Sequence, residues 1–228
     1  MISVPSLVGM GLYTPAEASR LVGIPTGKIV RWLRGHAVSG KPYDALWKPQ
    51  IDLGDGSIYL GFRDLMELRT ANAFLSKGVS AITIRKTIVE VSRLIGESRP
   101  LSTKRFKTDG RSIFLELVSE DGDTRLLDIF KQQYAFKKII EQSLKDVEFL
   151  DDAPNRWWPM TRSKGIVVDP ARSFGQPIDE ESGVPTRVLA TAVAAEGSVD
   201  AAARVWAVKP QTVRRAVEYE NSFFKRAA

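Results

Sequence analysis

The 228-residue sequence contains no cysteine and only one histidine, His36. Disulfide bonds, thiolate metal ligands and cysteine nucleophiles are therefore excluded, and the chain suits a reducing compartment. A transition-metal site is not expected either, because such sites combine several Cys or His ligands. The sequence predicts a protein without a metal or another cofactor.

Long apolar runs and common catalytic motifs are also missing. No segment approaches the roughly 20 apolar residues needed to cross a bilayer, and the N-terminus lacks the pattern of a signal peptide. There is no Gly-rich phosphate-binding loop, and no nucleophile turn accompanies His36. With 43% hydrophobic residues the chain can build folded cores. We therefore expect a cytoplasmic protein that is not an enzyme and has no membrane partner.

Positive charge is concentrated in the first half of the sequence. Residues 1–105 carry 15 Lys+Arg against 8 Asp+Glu, a net charge of +7. Residues 106–153 carry 7 against 11, a net charge of −4, and residues 154–228 carry 11 against 8, a net charge of +3. A local excess of Lys and Arg is typical of proteins that neutralise DNA phosphates. The first hundred residues are thus the part expected to contact DNA.

This basic part opens with the signals of a short helix and a sharp turn. Thr14 is suited to cap a helix, Pro15 fits its first turn, and Glu17 follows at the spacing of a capping box. Gly23 permits a tight turn. A second helix is predicted to begin at Pro25 or Thr26. Two short helices joined in this way predict a helix-turn-helix.

The second helix directs its apolar residues inward and a small, basic face outward, as a helix in the DNA major groove does. Residues 37–57 are predicted to form a β-hairpin or extended loop in the position of a wing. We expect the helix to bond guanine edges through Arg31 and Lys28, and other cations to contact phosphates. The predicted DNA-binding residues are Thr26, Lys28, Arg31, Arg34, Lys41 and Lys48.

Residues 13–95 resemble the DNA-binding domain of the MerR-like winged-helix family. The matching features are the helix-turn-helix with Trp32, the wing, the helix start Phe62-Arg63-Asp64-Leu65, and the junction Lys77-Gly78-Val79-Ser80-Ala81-Ile82. The resemblance implies a winged helix-turn-helix domain that binds operator DNA as a dimer.

The acidic middle part is predicted to be a small α+β connector that takes part in dimerisation. Lys104–Lys107 and Ser112–Leu117 are expected to form a β-hairpin around Thr108-Asp109-Gly110, with a third strand at Arg125–Phe130. Residues 132–144 have helical spacing.

The last third of the chain begins with the polar segment Asp151-Asp152-Ala153-Pro154 and the pair Trp157-Trp158. A tryptophan pair is more typical of domain packing than of ligand binding. The segment then resembles a small family of uncharacterised domains found in VapB-type antitoxins, whose partners are PIN-like ribonuclease toxins. The matching features are Asp169-Pro170, Gly175-x-Pro177-Ile178, Val184-Pro185-Thr186, Gly197-Ser198 and residues 208–219. The resemblance implies a toxin-binding domain, with contacts assigned to Trp157, Trp158, Arg172 and Arg187.

The last segment also repeats the opening helix-turn-helix at a displacement of 184 positions. Identical or similar residues recur in register, among them Ala18 and Ala202, Gly23 and Ala207, and Ile29 and Val213. A second helix-turn-helix is therefore predicted. Its outward face is expected to contact DNA or a protein partner through Lys209, Gln211, Thr212, Arg214 and Arg215.

These features predict a mainly α protein with small β-hairpins, of the α+β class. The predicted domains are a winged helix-turn-helix at 1–100, the α+β connector at 101–153 and a helix-turn-helix-like domain at 154–228. We interpret the chain as a DNA-binding antitoxin that acts as a homodimer, neutralises a PIN-like ribonuclease toxin and represses its own operon. The alternatives are a stand-alone MerR-like regulator, whose C-terminal domain binds a ligand or another protein, and a structural adaptor.

Overall fold

Helices dominate the computed structural model, which describes residues 7–110 and 133–227. The described residues 12–110, 133–145 and 149–154 belong to one structural unit, and residues 7–11, 146–148 and 155–227 belong to a second. The predicted second strand of the connector hairpin and the predicted strand at 125–130 lie outside the described residues. The division into three domains remains a prediction.

The described residues of the first unit form one hairpin and several helices with the following bounds: α1 Pro15–Val22, α2 Thr26–Arg34, β1 His36–Val38, β2 Lys41–Tyr43, α3 Phe62–Leu75, α4 Ala81–Ile95 and α5 Gln133–Ser143, with a further helix over residues 104–110 between α4 and α5. A single 3-10 turn covers Pro100–Ser102. The core of the unit lies around α3, on which α1, α4 and α5 pack. Phe62, Leu65, Met66 and Phe74 of α3 are fully buried. The helix predicted near 132–144 is confirmed by α5.

The start of α1 has the predicted capping box. Glu17 N donates to Thr14 Oγ1 at 3.3 Å, and Thr14 N donates to the Glu17 carboxylate at 2.8 Å. Gly23 ends the helix with φ +71°, and its N–H bonds Ser19 O at 2.9 Å. This left-handed conformation turns the chain towards α2 at little steric cost for glycine.

Residues 104–110 form a helix, so the prediction of a strand at Lys104–Lys107 is wrong. The helix start is fixed by Thr103, whose hydroxyl accepts the Phe106 N–H at 3.0 Å. Phe106 is fully buried and meets Phe74 edge-on, with the ring centroids 6.3 Å apart. Side-chain capping and tertiary burial outweigh the turn signal of Asp109-Gly110 at this point.

The second unit combines short strands with three helices: β3 Val147–Leu150, β4 Ala153–Trp157, β5 Ile166–Val168, β6 Pro177–Asp179, α6 Thr186–Glu196, α7 Val199–Val205 and α8 Pro210–Ala227. The sheet order is β3-β4-β5-β6, with β3 and β4 spanning the boundary between the units. Antiparallel pairing joins β5 to β4 and to β6, and Val167 lies opposite Ile178. The helices share a core of Leu189, Ala192, Ala202, Ala203, Val213 and Ala216. The predicted α+β class is confirmed.

Candidate functional site

The outer face of α2 is the candidate nucleic-acid interface of the first unit. Ile29, Trp32 and Leu33 are buried, as their spacing predicts. Thr26 and Arg31 are exposed on the opposite side. Arg31 has no hydrogen-bond or ion-pair partner among the described residues. Its guanidinium is therefore available to an external ligand.

Two other predicted contacts on this helix have internal partners. Lys28 is half-buried, and its Nζ donates to Asn72 Oδ1 at 3.1 Å and lies 4.8 Å from the Trp32 ring centroid. Arg34 donates to the carbonyl of Gly56. The prediction of Lys28 as a free, outward base contact is corrected, because its ammonium group lies over the Trp32 ring and ties α2 to α3 through Asn72. Arg34 ties α2 to the loop before α3.

A β-hairpin directly follows α2, in the position predicted for a wing. Ser39 and Gly40 form its turn, both with positive φ, as a two-residue hairpin turn requires. Gly35 is required at its base, because an added Cβ would lie 2.5 Å from the carbonyl oxygen of Tyr43. His36 stacks on Tyr43 with the ring centroids 5.2 Å apart. Lys41 is exposed on this hairpin, as Lys48 is on the loop beyond it.

A buried carboxylate, Asp64, anchors that loop to α3. It accepts hydrogen bonds from Trp47 Nε1 at 3.1 Å, Gln50 N at 2.8 Å and Gly61 N at 3.0 Å, and Arg99 Nε pairs with it at 2.6 Å. Arg99 also donates to the carbonyl of Lys48. Four donors on one buried carboxylate hold the loop in a single position relative to α2.

Two further contacts support this arrangement. Arg85 of α4 donates to the carbonyls of Asp44 and Ala45, at the end of the hairpin. Glu67, one helical turn after Asp64, is fully buried and accepts the Leu101 N–H at 3.2 Å. Burial raises the pKa of Glu67 to about 8 from an ordinary 4.5. No sequence motif predicts Asp64, Glu67 or Arg99 as organising residues. The only local signal was Asp64 at the third position of α3.

The second unit repeats the helix-turn-helix in the predicted register. Helices α1 and α7 begin 184 positions apart, as do α2 and α8. Ser198 caps α7 as Thr14 caps α1, and its hydroxyl accepts Ala201 N at 3.1 Å. Ala207 has a φ of +50° where Gly23 has +71°. The two helix-turn-helix motifs thus follow the same backbone path through the first helix, the turn and the start of the second helix.

The outward face of this second motif differs from the prediction. Thr212 is 2% exposed, and Arg215 pairs with the fully buried Asp179 at 2.5 Å. Both residues serve the interior of the unit, so their assignment to an accessible face is corrected. Gln211 remains exposed.

The exposed cations near the start of α8 lie beside carboxylates. Lys209 pairs with Glu181, and Arg214 lies 3.9 Å from Asp200. Such surface pairs contribute little stability. They do lower the net positive field that would attract a phosphate backbone. The α2 face is therefore the better candidate for DNA.

The Trp157–Trp158 pair is part of the core of the second unit. Trp157 is 4% and Trp158 is 2% exposed. Trp158 packs with Val167 and Ile178, and its indole N–H donates to Glu180 at 3.3 Å. A direct contact of these tryptophans with a toxin is not available to the folded chain, and this prediction is corrected in favour of packing.

The two arginines predicted to contact a toxin differ in their surroundings. Arg172 is half-buried, donates to the Glu180 carbonyl at 3.4 Å and lies so close to Gly183 that an added Cβ would approach its Nη2 to 2.4 Å. Arg187, in the first turn of α6, is exposed and has no partner among the described residues. Only Arg187 presents a free guanidinium.

Two comparisons with known proteins match most of the chain. No family model matches the sequence. A protein of Mycobacterium tuberculosis named as a candidate antitoxin, VapB45, is 28% identical over 226 residues, which cover 91% of this chain and 92% of that protein. The crystal structure of Rv2018 from Mycobacterium tuberculosis is 24% identical and matches with a TM-score of 0.66, covering 90% of this chain and 96% of that chain. The fold is shared with that solved structure. Within the described ranges, no helix is long and apolar enough to span a membrane.

Proposed function

We propose that this protein is the antitoxin of a toxin–antitoxin pair. The observation that carries the proposal is the similarity to the VapB45 protein, which extends over 91% of the chain and so includes both units. A motif shared through one domain alone would fit many regulators. Similarity along both units favours a common role for the whole chain, and that role is regulatory rather than catalytic.

The first unit, in this proposal, binds operator DNA and represses the protein's own operon. Its support is the exposed α2 face with the free Arg31, the hairpin that follows α2 and the net charge of +7 over residues 1–105. A helix with its hairpin can place Arg31 at base edges while Lys41 and Lys48 contact phosphates. A homodimer would present two such helices to two half-sites of the operator.

Arg31→Ala is expected to weaken binding to DNA from the protein's own promoter region by about tenfold or more. The expectation follows from the roughly 1–3 kcal/mol that a bidentate arginine–guanine contact contributes to discrimination. Fluorescence anisotropy measures binding to the promoter DNA and to variants of it that each carry one base-pair change. Each measurement is made at several salt concentrations. The Arg31→Ala protein should lose its preference for the native base pair at one position in each half-site and keep it at the others.

Arg93→Ala is the matched control, because Arg93 lies in the first unit with its side chain 84% exposed but on α4. It should leave operator affinity within about twofold of the parent protein. Equal affinity of the Arg31→Ala protein and the parent protein would show that α2 does not read the operator.

The second unit, by the same proposal, binds a PIN-like ribonuclease toxin. Such a nuclease has an acidic centre, and a guanidinium brought into it would hold the carboxylates in an unproductive arrangement. Arg187 is suited to this role because it is exposed and unpaired, whereas Arg172 is held against Gly183.

Arg187→Ala is expected to raise the residual ribonuclease activity of a PIN-like protein that co-purifies with this chain by roughly tenfold, at a fixed antitoxin concentration. Cleavage of a fluorogenic RNA is measured during titration with the antitoxin. Arg172→Ala is the comparison variant and should inhibit like the parent protein. The opposite ranking of the two variants would assign the inhibitory role to Arg172.

A further inference from the structure

The last residue of α7, Val205, and the first residue after it, Trp206, are large apolar residues with exposed side chains. Val205 is 62% exposed and Trp206 is 41% exposed. The chain has five tryptophans, and the other four, Trp32, Trp47, Trp157 and Trp158, are all at most 8% exposed. Trp206 is therefore the one indole that solvent, or a partner, can reach.

The internal repeat shows that this exposure is not a general property of the motif. Val205 occupies the position of Leu21, which is only 7% exposed in the first unit, where α1 packs on both α2 and α3. In the second unit α7 packs on α6 and α8, and these leave Val205 and Trp206 uncovered. The equivalent position is therefore buried in the first copy of the motif, at Leu21, and exposed in the second, at Val205.

The backbone presents these side chains in a fixed position. Trp206 N donates to Ala202 O at 3.0 Å, Ala207 N to Arg204 O at 3.2 Å and Val208 N to Ala203 O at 3.0 Å. Ala207 adopts a φ of +50°, a conformation that residues with a Cβ rarely take. A rigid turn that carries an aromatic anchor loses little conformational entropy on binding.

The charge beside the pair favours a partner of a particular kind. Arg204 is exposed and has no partner among the described residues. A symmetric contact between two copies centred on this turn would bring Arg204 close to its own symmetry mate, which is unfavourable. A different protein with an apolar pocket and an acidic rim would pair with Arg204 instead.

We propose that Val205 and Trp206 form the docking anchor for the toxin, with Arg204 paired to an acidic residue at the rim of the toxin's pocket. The inference rests on the proposed function and adds the surface through which the partner is held. Trp and Arg are the residue types that most often dominate interface energetics, and an apolar anchor enclosed by a polar rim is the usual arrangement. Docking at this turn is separate from any contact that Arg187 makes.

Iodide quenching of tryptophan fluorescence tests the proposal, because Trp206 is the accessible indole. The probe is a purified PIN-like protein that co-purifies with this chain, with its own tryptophans replaced by phenylalanine. Its addition should abolish most of the iodide-quenchable emission of the full-length chain. Trp206→Phe should remove the quenchable emission in the free chain, which confirms its source.

Affinity measurements complete the test. Trp206→Ala is expected to weaken toxin binding at least about 30-fold, the effect of losing an interface hot spot, and Arg204→Glu should weaken it most at low salt. Phe174→Ala is the control, since Phe174 is 62% exposed in the same unit and outside this turn. Circular dichroism and unchanged operator binding confirm that the variants are folded.

The outcomes distinguish the surface from the proposed function. Tight toxin binding without protection of Trp206, and with unchanged affinity in Trp206→Ala, would overturn the docking site and leave the antitoxin role intact. No binding of the parent chain would overturn both. Protection of Trp206 that rises with the concentration of this chain alone would overturn the toxin as occupant and assign the surface to a second copy.

Discussion

Asp64→Ala is expected to lower the free energy of unfolding of the first unit by about 3–5 kcal/mol. The substitution removes the acceptor of four hydrogen bonds, from Trp47, Gln50, Gly61 and Arg99. Arg99 is only 8% exposed, so its guanidinium would be left buried without its carboxylate. An uncompensated buried charge costs more than the intact pair contributes.

Under the proposed DNA-binding role of the first unit, operator affinity should decrease along with stability. The loop that follows the hairpin is held through Trp47 and Gln50 by the Asp64 carboxylate, and the Lys48 carbonyl is held by Arg99. Without this anchor the loop and hairpin sample several positions relative to α2. Binding then has to restrict them again, at a cost in entropy.

Urea unfolding gives the change in free energy, and peptide-level hydrogen exchange locates it. Protection should fall in α3 and in residues 44–61, whereas α6, α7 and α8 should exchange as in the parent protein. Asp52→Ala is the control, because Asp52 is an exposed aspartate of the same loop that caps only Gly54 N, at 2.9 Å. A loss below about 1 kcal/mol for Asp64→Ala would contradict the anchoring role, since ordinary surface substitutions reach that size.

The parts of the fold that were predictable from the sequence are those fixed by neighbouring residues. The capping box of Thr14 and Glu17, the turn at Gly23 and the inward Ile29, Trp32 and Leu33 all depend on spacings of a few positions. Hydrophobic periodicity and capping act within one or two turns of helix, so a single sequence carries them.

The parts that were missed or wrong depend on contacts between distant residues. Lys28 is spaced as an outward residue of α2, but its ammonium group donates a hydrogen bond to Asn72, 44 positions later. Arg215 matches the exposed Arg31 in the repeat, yet it pairs with Asp179 of β6. Periodicity assigns a face to a residue, but it does not say what covers that face.

The two copies of the repeat share their backbone path and differ in their charge pairing. Both copies keep the capped first helix, the left-handed turn residue and a buried branched residue at Ile29 and Val213. They differ in what surrounds the second helix, with a free Arg31 in one and paired cations in the other. Charge pairing, rather than backbone geometry, thus favours the first copy for DNA and the second for a protein partner.

A second large effect is expected from Glu67, because burial raises its pKa to about 8. The Leu101 N–H, Ser102 and Arg99 oppose this rise, but desolvation dominates. Glu67 Oε2 has no hydrogen-bond partner among the described residues. The folded chain therefore keeps the proton on Glu67 at neutral pH, whereas the unfolded chain releases it near pH 4.5, the ordinary pKa.

The sign of the pH dependence follows from this difference in bound protons. As the pH rises from about 4.5 to about 8, the unfolded state binds fewer protons than the folded state, so the free energy of unfolding decreases. At about 1.4 kcal/mol per pKa unit, the contribution of Glu67 falls by on the order of 5 kcal/mol across this window. Glu67→Gln lacks the titrating group and can still accept the Leu101 N–H.

The difference between the parent protein and Glu67→Gln isolates this contribution from all other titrations. Urea unfolding of the first unit at about pH 5 and about pH 8 should show the variant gaining stability relative to the parent protein as the pH rises. Glu196→Gln, which changes an exposed glutamate of the second unit, should give no such trend. Parallel pH profiles for the parent protein and Glu67→Gln would mean that Glu67 ionises normally in the folded chain. A difference in the free energy of unfolding between Glu67→Gln and the parent protein that grows with pH would mean that Glu67 is neutral in the folded chain. A neutral carboxyl group would then support the turn at Pro100–Ser102, next to Arg99, which pairs with Asp64.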